Sequence, residues 1–306
     1  MIFKFAMKNY LEDAEFRNIS IRTIKHYSDV LNEFYDYMVK NEIINVEDVN
    51  KAIVKSYILD CQKRRKNNPT TSNSKLRALK TFFTYCETEL EIFNSKTNPC
   101  QNLTYAKEDV KIEPFSDEQI RQMLNYYQKM KHKSKTFYAY RDYFLIIWLL
   151  GTGARLGETI NLRWQDIDLE NDIVKVIGKK RVDSTIPMGH KLKKEILEYK
   201  LFVEQKFKIL PVYVFTNQSG GQLQDSAIKS VFKRLQKVMN FKNRLSAHSF
   251  RHTFSRKFLT SGGNAFGLKR MLRHSSINQT QRYVNLYADD IRHMNDQFNP
   301  LNNIDV

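Results

Sequence analysis

The chain has 306 residues, of which 42% are hydrophobic and 27% are charged. This composition is typical of a folded protein of one or two domains and argues against a disordered chain. The longest apolar run, residues 143–150, is too short to cross a bilayer, and Asp13 and Glu15 interrupt the N-terminus before a secretory apolar segment can form. We therefore expect a cytoplasmic protein without membrane association.

Positive charge is concentrated after residue 110. The formal net charge is +17; residues 1–110 hold 17 basic and 15 acidic residues, whereas residues 111–306 hold 33 and 18. A strongly basic half suits a polyanion such as nucleic acid, although lysines on solvated surfaces are the alternative explanation. Three cysteines (Cys61, Cys86 and Cys100) have no metal-ligand spacing, so we expect buried or neutral thiols.

The first hundred residues show helical periodicity. The predicted segments are residues 5–16, a helix capped by Ser20, residues 46–61, and a helix that is capped by Thr70 or Thr71 and reaches residue 86. A basic loop, residues 63–69, precedes the last of these. The pattern indicates a bundle of four or five short helices whose aromatic residues form the core.

Residues 99–114 show little periodicity and favour a linker, which we place at residues 107–114 between domains 1–106 and 115–306. Ser116 then begins a helix with Gln119 at the capping-box position. A buried helix follows at residues 140–150 and ends at Gly151 and Gly153. Residues from 115 onward, which include this helix, are therefore predicted to form a second folded unit.

Residues 166–169 and 173–177 alternate in polarity around an Asn171-Asp172 turn, and residues 185–187 read as an edge strand. Helices resume at about residues 190–207 and dominate the remainder, including one capped by Ser246. The predicted fold class is mainly α with a small antiparallel β-sheet.

Six dispersed polar residues are candidates for catalysis. They are Arg155, Lys179, His248, Arg251, His274 and Tyr283. Two guanidinium groups can clamp the oxygens of a phosphodiester, histidines and a lysine can move protons, and a tyrosine hydroxyl can form a covalent intermediate. The set predicts DNA strand transfer that needs neither a metal ion nor a cofactor.

Each residue also has a plainer interpretation. Arg155 is compatible with an ordinary surface arginine, although Glu158, one turn later, could orient its guanidinium. Lys180 competes with Lys179 for any catalytic role. His274 and Tyr283 are nine residues apart and fall on opposite faces of a straight helix, so they can converge only if the chain bends between them.

Four motifs occur in a recognisable order. They are Gly-Ala-Arg-Leu-Gly-Glu at 153–158, Gly-Lys at 178–179, His-Ser-Phe-Arg-His-Thr-Phe at 248–254, and Leu-Arg-His-Ser-Ser at 272–276 followed by Thr280 and Tyr283. In this order they resemble the motifs of the tyrosine recombinases of the phage integrase family, similar to Xer-type and mobile-element enzymes. The resemblance covers nearly the whole chain.

The resemblance implies a two-domain DNA clamp, with a SAM-like helical core-binding domain at 1–106 and the catalytic domain at 115–306. It implies that Tyr283 forms a 3′-phosphotyrosyl bond, that Arg155, Arg251 and His274 hold the phosphate, that Lys179 protonates the leaving 5′ oxygen, and that His248 assists proton transfer. The chain departs from the family at Arg273, where glycine is usual, and at Ala154, where the residue is often larger.

The implied partners are double-stranded DNA recombination sites, further copies of the chain in a homotetramer assembled on two sites, and an accessory directionality protein. The implied task is integration or excision of mobile DNA, or resolution of DNA dimers, in a bacterium, a phage or a mobile element. Ile291, Met294, Phe298 and Leu301 form a near-helical tail that could dock on a neighbouring protomer or pack within its own chain. The alternatives in function are a type IB-like topoisomerase or resolvase, and a DNA-binding accessory factor without catalysis.

Overall fold

The computed structural model describes residues 1–108, 113–177, 183–274, 276–277, 280–281 and 283, with only the backbone at 177 and 183. The chain forms two compact units, Met1–Val110 and Lys111–Val306. The division falls inside the segment predicted as a linker, whose role stays a prediction. Among the residues placed by the structure, no helix is long and apolar enough to span a membrane.

The first unit is a helical bundle held together by aromatic side chains. Its helices are α1 (Phe3–Phe16), α2 (Ile21–Lys40), α3 (Lys51–Lys63) and α4 (Pro69–Thr88). The ring centroids of Phe3 and Phe82 lie 5.0 Å apart, as do those of Phe34 and Tyr57, and all four side chains are fully buried. Burial of each such side chain contributes about 1.5–3 kcal/mol. The aromatic residues therefore form the core, as predicted.

Capping side chains determine where these helices begin. The Ser20 hydroxyl accepts the amide of the third helical residue of α2 at 3.3 Å, which confirms the predicted cap. The prediction for α4 was wrong, because Asn68 rather than Thr70 or Thr71 is its N-cap and accepts the Thr71 amide at 2.8 Å. Pro69 fits the first helical position, where the missing N–H has no helical partner to lose.

The third helix begins later than predicted, at Lys51 rather than at residue 46. Asn50 caps it by accepting the amides of Ala52 and Ile53 at 2.9 and 3.2 Å. An asparagine in this position competes well for the first free amides of a helix, so it fixes the start of α3.

The three cysteines are free and buried, as expected. Burial raises the pKa of Cys86 and of Cys100 to about 12, so both are neutral thiols at physiological pH.

The second unit is mainly helical with one small sheet. Its described helices are α5 (Asp117–Ser134), α6 (Phe137–Thr152), α7 (Leu156–Asn161), α8 (His190–Phe207), α9 (Asp225–Met239), α10 (Ala247–Thr260) and α11 (Ala265–Leu272). Ser116 and Gln119 form the predicted capping box at the start of α5. Ser246 caps α10 by accepting the Ser249 amide at 3.1 Å, also as predicted.

The sheet consists of β1 (Ile167–Asp168), β2 (Ile173–Ile177) and β3 (Asp183–Pro187), in that order and antiparallel. Val174 pairs with Ile186 in the β2–β3 register, and both side chains are fully buried. The neighbouring residues alternate outward, which is the period-2 pattern that predicted these strands. The first strand is shorter than predicted because a 3₁₀ turn, Trp164–Asp166, takes its start.

The central helix of this unit is α6, which contacts α5, α8 and α10. Trp148 in its middle is fully buried, and its ring N–H donates to the Thr159 hydroxyl of α7 at 3.2 Å. The helix starts three residues earlier than predicted because the Thr136 side chain caps it. Its C-terminal end leads directly into the turn that carries Arg155.

Candidate active site

Arg155 lies in the turn between α6 and α7, and the glycine at position 153 makes this turn possible. Gly153 has a φ of 58°, and a Cβ there would lie 2.9 Å from a ring carbon of Phe254 and 3.0 Å from a methyl group of Leu272. Any larger residue would collide with these side chains in a left-handed backbone conformation. Ala154 is completely buried, which explains the small side chain at that position. The Arg155 side chain remains 33% exposed.

Glu158 orients Arg155, as their spacing predicted. Its Oε1 accepts Nη1 of Arg155 at 2.7 Å, and its Oε2 accepts the Arg155 backbone amide at 2.8 Å. Burial raises the pKa of Glu158, but the charges and hydrogen bonds of Arg273 and Arg155 outweigh this effect and hold the pKa below its usual value. The carboxylate is therefore ionised at neutral pH.

Arg251 lies on α10, and its guanidinium is buried beside the same turn. Its Nη1 donates to the carbonyl of Gly153 at 2.8 Å, and its Nη2 donates to the carbonyl of Leu272. Burial, followed by the charges of Arg155 and Arg273, lowers the pKa of Arg251 to about 10. Arg251 is thus a charged group in surroundings that a phosphate anion would make more favourable.

The C-terminal end of α11 holds both arginines. Arg251 donates to the carbonyl of Leu272, and Nη2 of Arg155 donates to the carbonyl of Arg273 at 3.1 Å. The last carbonyls of a helix carry partial negative charge, so they attract guanidinium groups. One helix end therefore brings together two candidate phosphate-binding residues that are far apart in sequence.

This helix end is a Schellman motif. The amide of His274 donates to the carbonyl of Lys269, and the amide of Arg273 donates to that of Arg270, both at 3.1 Å. The motif requires a left-handed residue, and Arg273 occupies that position with a φ of 54°. Glycine adopts this conformation without strain, whereas an arginine costs about 1–2 kcal/mol.

His274 follows the helix end and is half-buried. Its Nδ1 lies 2.8 Å from Oγ1 of Thr280. Burial, followed by the charges of Arg251 and Arg155 and then of Arg273, lowers the pKa of His274 to about 3. The ring is therefore neutral at physiological pH. It lies parallel to the ring of Tyr283, with centroids 6.3 Å apart, so the two rings do lie close together.

The hydroxyl of Tyr283 lies 2.8 Å from Nδ1 of His252. Tyr283 is 4% exposed and packs in an apolar cluster with Leu259, Leu268 and Leu272. Burial, followed by the charges of His248 and Arg251, lowers the pKa of His252 to about 4, so this imidazole is neutral at physiological pH. The sequence prediction gave His252 no role. The available signal was its position one helical turn after His248, on the same face of α10.

His248 is exposed at the start of α10, and its ring centroid lies 4.2 Å from that of His252. Partial loss of hydration, followed by the charges of Arg251 and Arg155, lowers the pKa of His248. The two histidines therefore form a neutral pair beside Tyr283, and His252 is the member whose ring nitrogen reaches the phenol oxygen.

Lys179 and its competitor Lys180 lie outside the described residues, between β2 and β3. The described strands are paired up to Ile177 and Asp183. The choice between the two lysines therefore stays a prediction.

A cleft of about 520 Å³ opens beside Arg155, between α7 and β2. Its lining includes Glu158, Asn161, Arg163 and Lys175. Three cations of the lining, Arg155, Arg163 and Lys175, outnumber its two carboxylates, Glu158 and Asp166, so the cleft suits an anionic backbone. Within the described ranges, no group of three or more His, Cys, Asp or Glu side chains could hold a metal ion.

Five of the six predicted residues are thus linked by contacts. Arg155 and Arg251 meet at the end of α11, His274 follows that end, and Tyr283 lies against it. Through His252 the contacts extend to His248. This arrangement offers two cations for a phosphate, a phenol for attack and neutral imidazoles for its proton.

Two family models match this chain, and curated relatives resemble it over most of its length. The model of the Phage integrase family matches residues 114–289, and that of the Phage integrase, N-terminal SAM-like domain matches residues 7–92. The tyrosine recombinase XerC of Staphylococcus epidermidis is 27% identical over 276 residues, which cover 90% of each chain.

Two solved structures share the fold. The Tn1549 transposon integrase, in complex with transposon right end DNA, has a TM-score of 0.76 at 20% identity and covers 92% of this chain and 94% of its own. The XerH site-specific recombinase, bound to a palindromic difH substrate, has a TM-score of 0.75 at 17% identity, with coverage of 94% and 82%. This chain therefore belongs to the phage integrase family and is a tyrosine site-specific recombinase, an enzyme that cleaves and rejoins DNA strands.

Proposed function

We propose that Tyr283 is the nucleophile of this strand transfer and that Arg155, Arg251 and His274 hold the scissile phosphate. One observation carries the proposal: both guanidiniums are anchored to adjacent carbonyls at the end of α11, with His274 next in the chain. Each guanidinium has five N–H donors, and the contacts described above use two of them in each case. The other donors remain for phosphate oxygens, whose negative charge increases during the transfer.

Proton transfer falls to the histidines and to Lys179. The phenol oxygen forms a bond to phosphorus, while the bond from phosphorus to the 5′ oxygen breaks. The phenol proton passes to the neutral His252, with His248 beside it, and Lys179 supplies a proton to the leaving 5′ oxygen. If Thr280 donates its hydroxyl to Nδ1 of His274, the His274 proton lies on Nε2 and can donate to the phosphate.

The 3′-phosphotyrosyl ester preserves the energy of the phosphodiester, so the 5′ hydroxyl of another strand can reverse the reaction without ATP. The substrates we propose are double-stranded recombination sites, since the related Tn1549 integrase and XerH structures contain DNA of that kind. We further propose a homotetramer on two sites in the cytoplasm, aided by an accessory directionality protein. Integration, excision and dimer resolution are the tasks compatible with this chemistry.

A nicked suicide substrate tests the central step. The wild-type enzyme, incubated with this DNA in EDTA, should form a covalent protein–DNA adduct that withstands denaturation. Tyr283→Phe should abolish the adduct and keep DNA binding, because only the hydroxyl is removed. Binding by the wild-type enzyme with no adduct would show an accessory DNA-binding factor instead.

The leaving-group acid is tested with a 5′-thio substrate. A thiolate leaves without a proton, so this substrate should restore cleavage by Lys179→Ala to nearly the wild-type rate. Restoration of Lys180→Ala instead would assign the acid to the neighbouring lysine.

The C-terminal tail, with Ile291, Met294, Phe298 and Leu301, lies outside the described residues. We propose that it docks on a neighbouring protomer. Deletion after residue 290 should then spare DNA binding and suppress recombination, whereas unchanged recombination would contradict this role.

A further inference from the structure

A third arginine lies beside the two that we propose for the phosphate. The Arg273 side chain is 6% exposed, and its Nη2 donates to Oε2 of Glu158 at 2.7 Å. Its Nη1 donates to the carbonyl of Met271 at 2.7 Å. Because its guanidinium is buried and bonded on two sides, Arg273 is not placed to contact DNA itself.

The local charge depends on this residue. Glu158 is ionised and forms ion pairs with both Arg155 and Arg273. Two guanidiniums and one carboxylate leave one positive charge. Without Arg273, the carboxylate would face Arg155 alone and cancel its charge, which would weaken attraction to a phosphate in this partly desolvated place.

The geometry depends on it as well. Arg273 binds Oε2 of Glu158, while Arg155 binds Oε1 through its side chain, so the carboxylate is fixed between them. The backbone carbonyl of Arg273 accepts the other terminal nitrogen of Arg155. Both terminal nitrogens of Arg155 are therefore held by contacts that depend on Arg273: Nη2 by its carbonyl, and Nη1 by the carboxylate of Glu158 that Arg273 fixes.

We infer that Arg273 is a positioning residue: it neutralises Glu158 and thereby leaves the full charge of an oriented Arg155 for the phosphate. The inference rests on the proposed role of Arg155. It explains why an arginine is found where the left-handed backbone favours glycine, since the ion pair with a buried carboxylate offsets the conformational cost.

Arg273→Gly provides the first test, because glycine suits a φ of 54° and the variant should fold. Single-turnover cleavage of the suicide substrate should fall about ten- to a hundredfold, while the Kd for DNA changes little. Arg273→Lys should recover a large part of the rate, since it keeps the charge. Arg270→Ala removes an exposed charge from the same helix and should change cleavage less than about twofold.

A second substitution separates positioning from a merely structural role. Glu158→Gln should slow cleavage in the wild-type background, because Arg155 loses its ionic partner. In the Arg273→Gly background the same substitution should speed cleavage, because it removes the carboxylate that cancels Arg155. If Arg273 only stabilises the helix end, the double variant will be slower than either single variant.

Failure of the inference about Arg273 can be distinguished from failure of the proposed function. A wild-type enzyme that forms no adduct would refute the role of Tyr283 and the phosphate site as a whole. A wild-type adduct with Arg273→Gly cleaving at the wild-type rate would refute only the inference about Arg273. Should the glycine variant be unfolded by circular dichroism, Arg273→Asn takes its place, because asparagine also adopts the left-handed conformation.

Discussion

Glu33 in the helical bundle is a partly buried carboxylate and Glu158 in the second unit is a buried one, and each is held by two cationic side chains. Glu33 forms ion pairs with Arg65 and Lys75, and it accepts hydrogen bonds from Lys75 and from the Tyr57 hydroxyl, the latter at 2.7 Å. Its pKa is below the usual value: burial raises it, but the hydrogen bonds and charges of these partners outweigh burial. In isolation the two clusters would be hard to tell apart.

The two clusters differ in the residues that surround each carboxylate. The partners of Glu33 come from α3, α4 and the loop between them, so the cluster joins these helices to α2. The partners of Glu158 meet Arg251 at the end of α11, directly before His274, and one of them, Arg155, lines an open cleft. A carboxylate between two cations therefore does not indicate a functional site by itself. A functional site is indicated when such a carboxylate lies near reactive groups.

The largest expected effect is at Arg251. Arg251→Lys cannot donate to the carbonyls of Gly153 and Leu272 and also clamp a phosphate, so single-turnover cleavage should fall about 10²–10³-fold. Lys75→Arg, a charge-conserving change in the Glu33 cluster, is the matched control and should leave the rate unchanged. Equal cleavage rates for the two variants would contradict the view that only the cluster around Glu158 takes part in the reaction.

A smaller effect is expected at His252. Asparagine keeps a hydrogen bond to the Tyr283 hydroxyl but cannot take its proton, so His252→Asn should slow cleavage about ten- to a hundredfold at pH 7. His248→Asn is the matched variant on the same face of α10. If His248→Asn slows cleavage and His252→Asn does not, the proton goes to His248, as the sequence first suggested.

The carboxylates themselves give the next comparison. Glu33→Gln leaves Lys75 without its ionic partner and should lower the free energy of unfolding by about 1–2 kcal/mol, since the site is only partly shielded from water. Its cleavage rate per folded molecule should equal that of the wild type. Urea unfolding together with single-turnover kinetics measures both quantities. Slower cleavage by Glu33→Gln would show that its cluster contributes to the reaction.

The smallest effect concerns pH. The pKa values of His252 and His274, about 4 and about 3, lie below the unfolded value of about 6.5, so the unfolded chain binds protons first as pH falls. Their contribution to stability is intact above pH 6.5 and is lost as pH falls towards these lower values. The Tm should therefore decrease between about pH 7 and pH 5. A Tm that decreases as steeply in His252→Asn would exclude His252 from this effect.

Much of the fold could be predicted because its signals are local. Helix α8 and strand β2 were predicted with the bounds that the structure shows, since periodicity depends on side chains a few residues apart. Ser116 and Ser246 were recognised as caps for the same reason. Asn68 was missed because the threonines after Pro69 offered similar capping chemistry, and only the geometry of the helix start distinguishes them.

The sequence indicated which residues form the candidate site, but not which contacts they make. The order of the motifs indicated Arg155, Arg251, His274 and Tyr283, and each of these lies in the cluster. The contact of His252 with Tyr283 depends on how the segment after α11 packs on α10, which no local pattern encodes. The ion pair of Arg273 with Glu158 likewise depends on a left-handed residue at a helix end.

Because Arg155 and Arg251 donate to neighbouring carbonyls of one helix end, their positions are coupled. A displacement of the C-terminal turn of α11 by about one ångström would lengthen both hydrogen bonds at once and is large enough to impair catalysis. A small rigid movement of this turn would then affect both guanidiniums together, while each keeps its second anchor, Arg155 on Glu158 and Arg251 on the carbonyl of Gly153. Substitutions that displace this turn would accordingly act on both arginines together, whereas removal of an exposed side chain such as that of Arg270 leaves the turn in place.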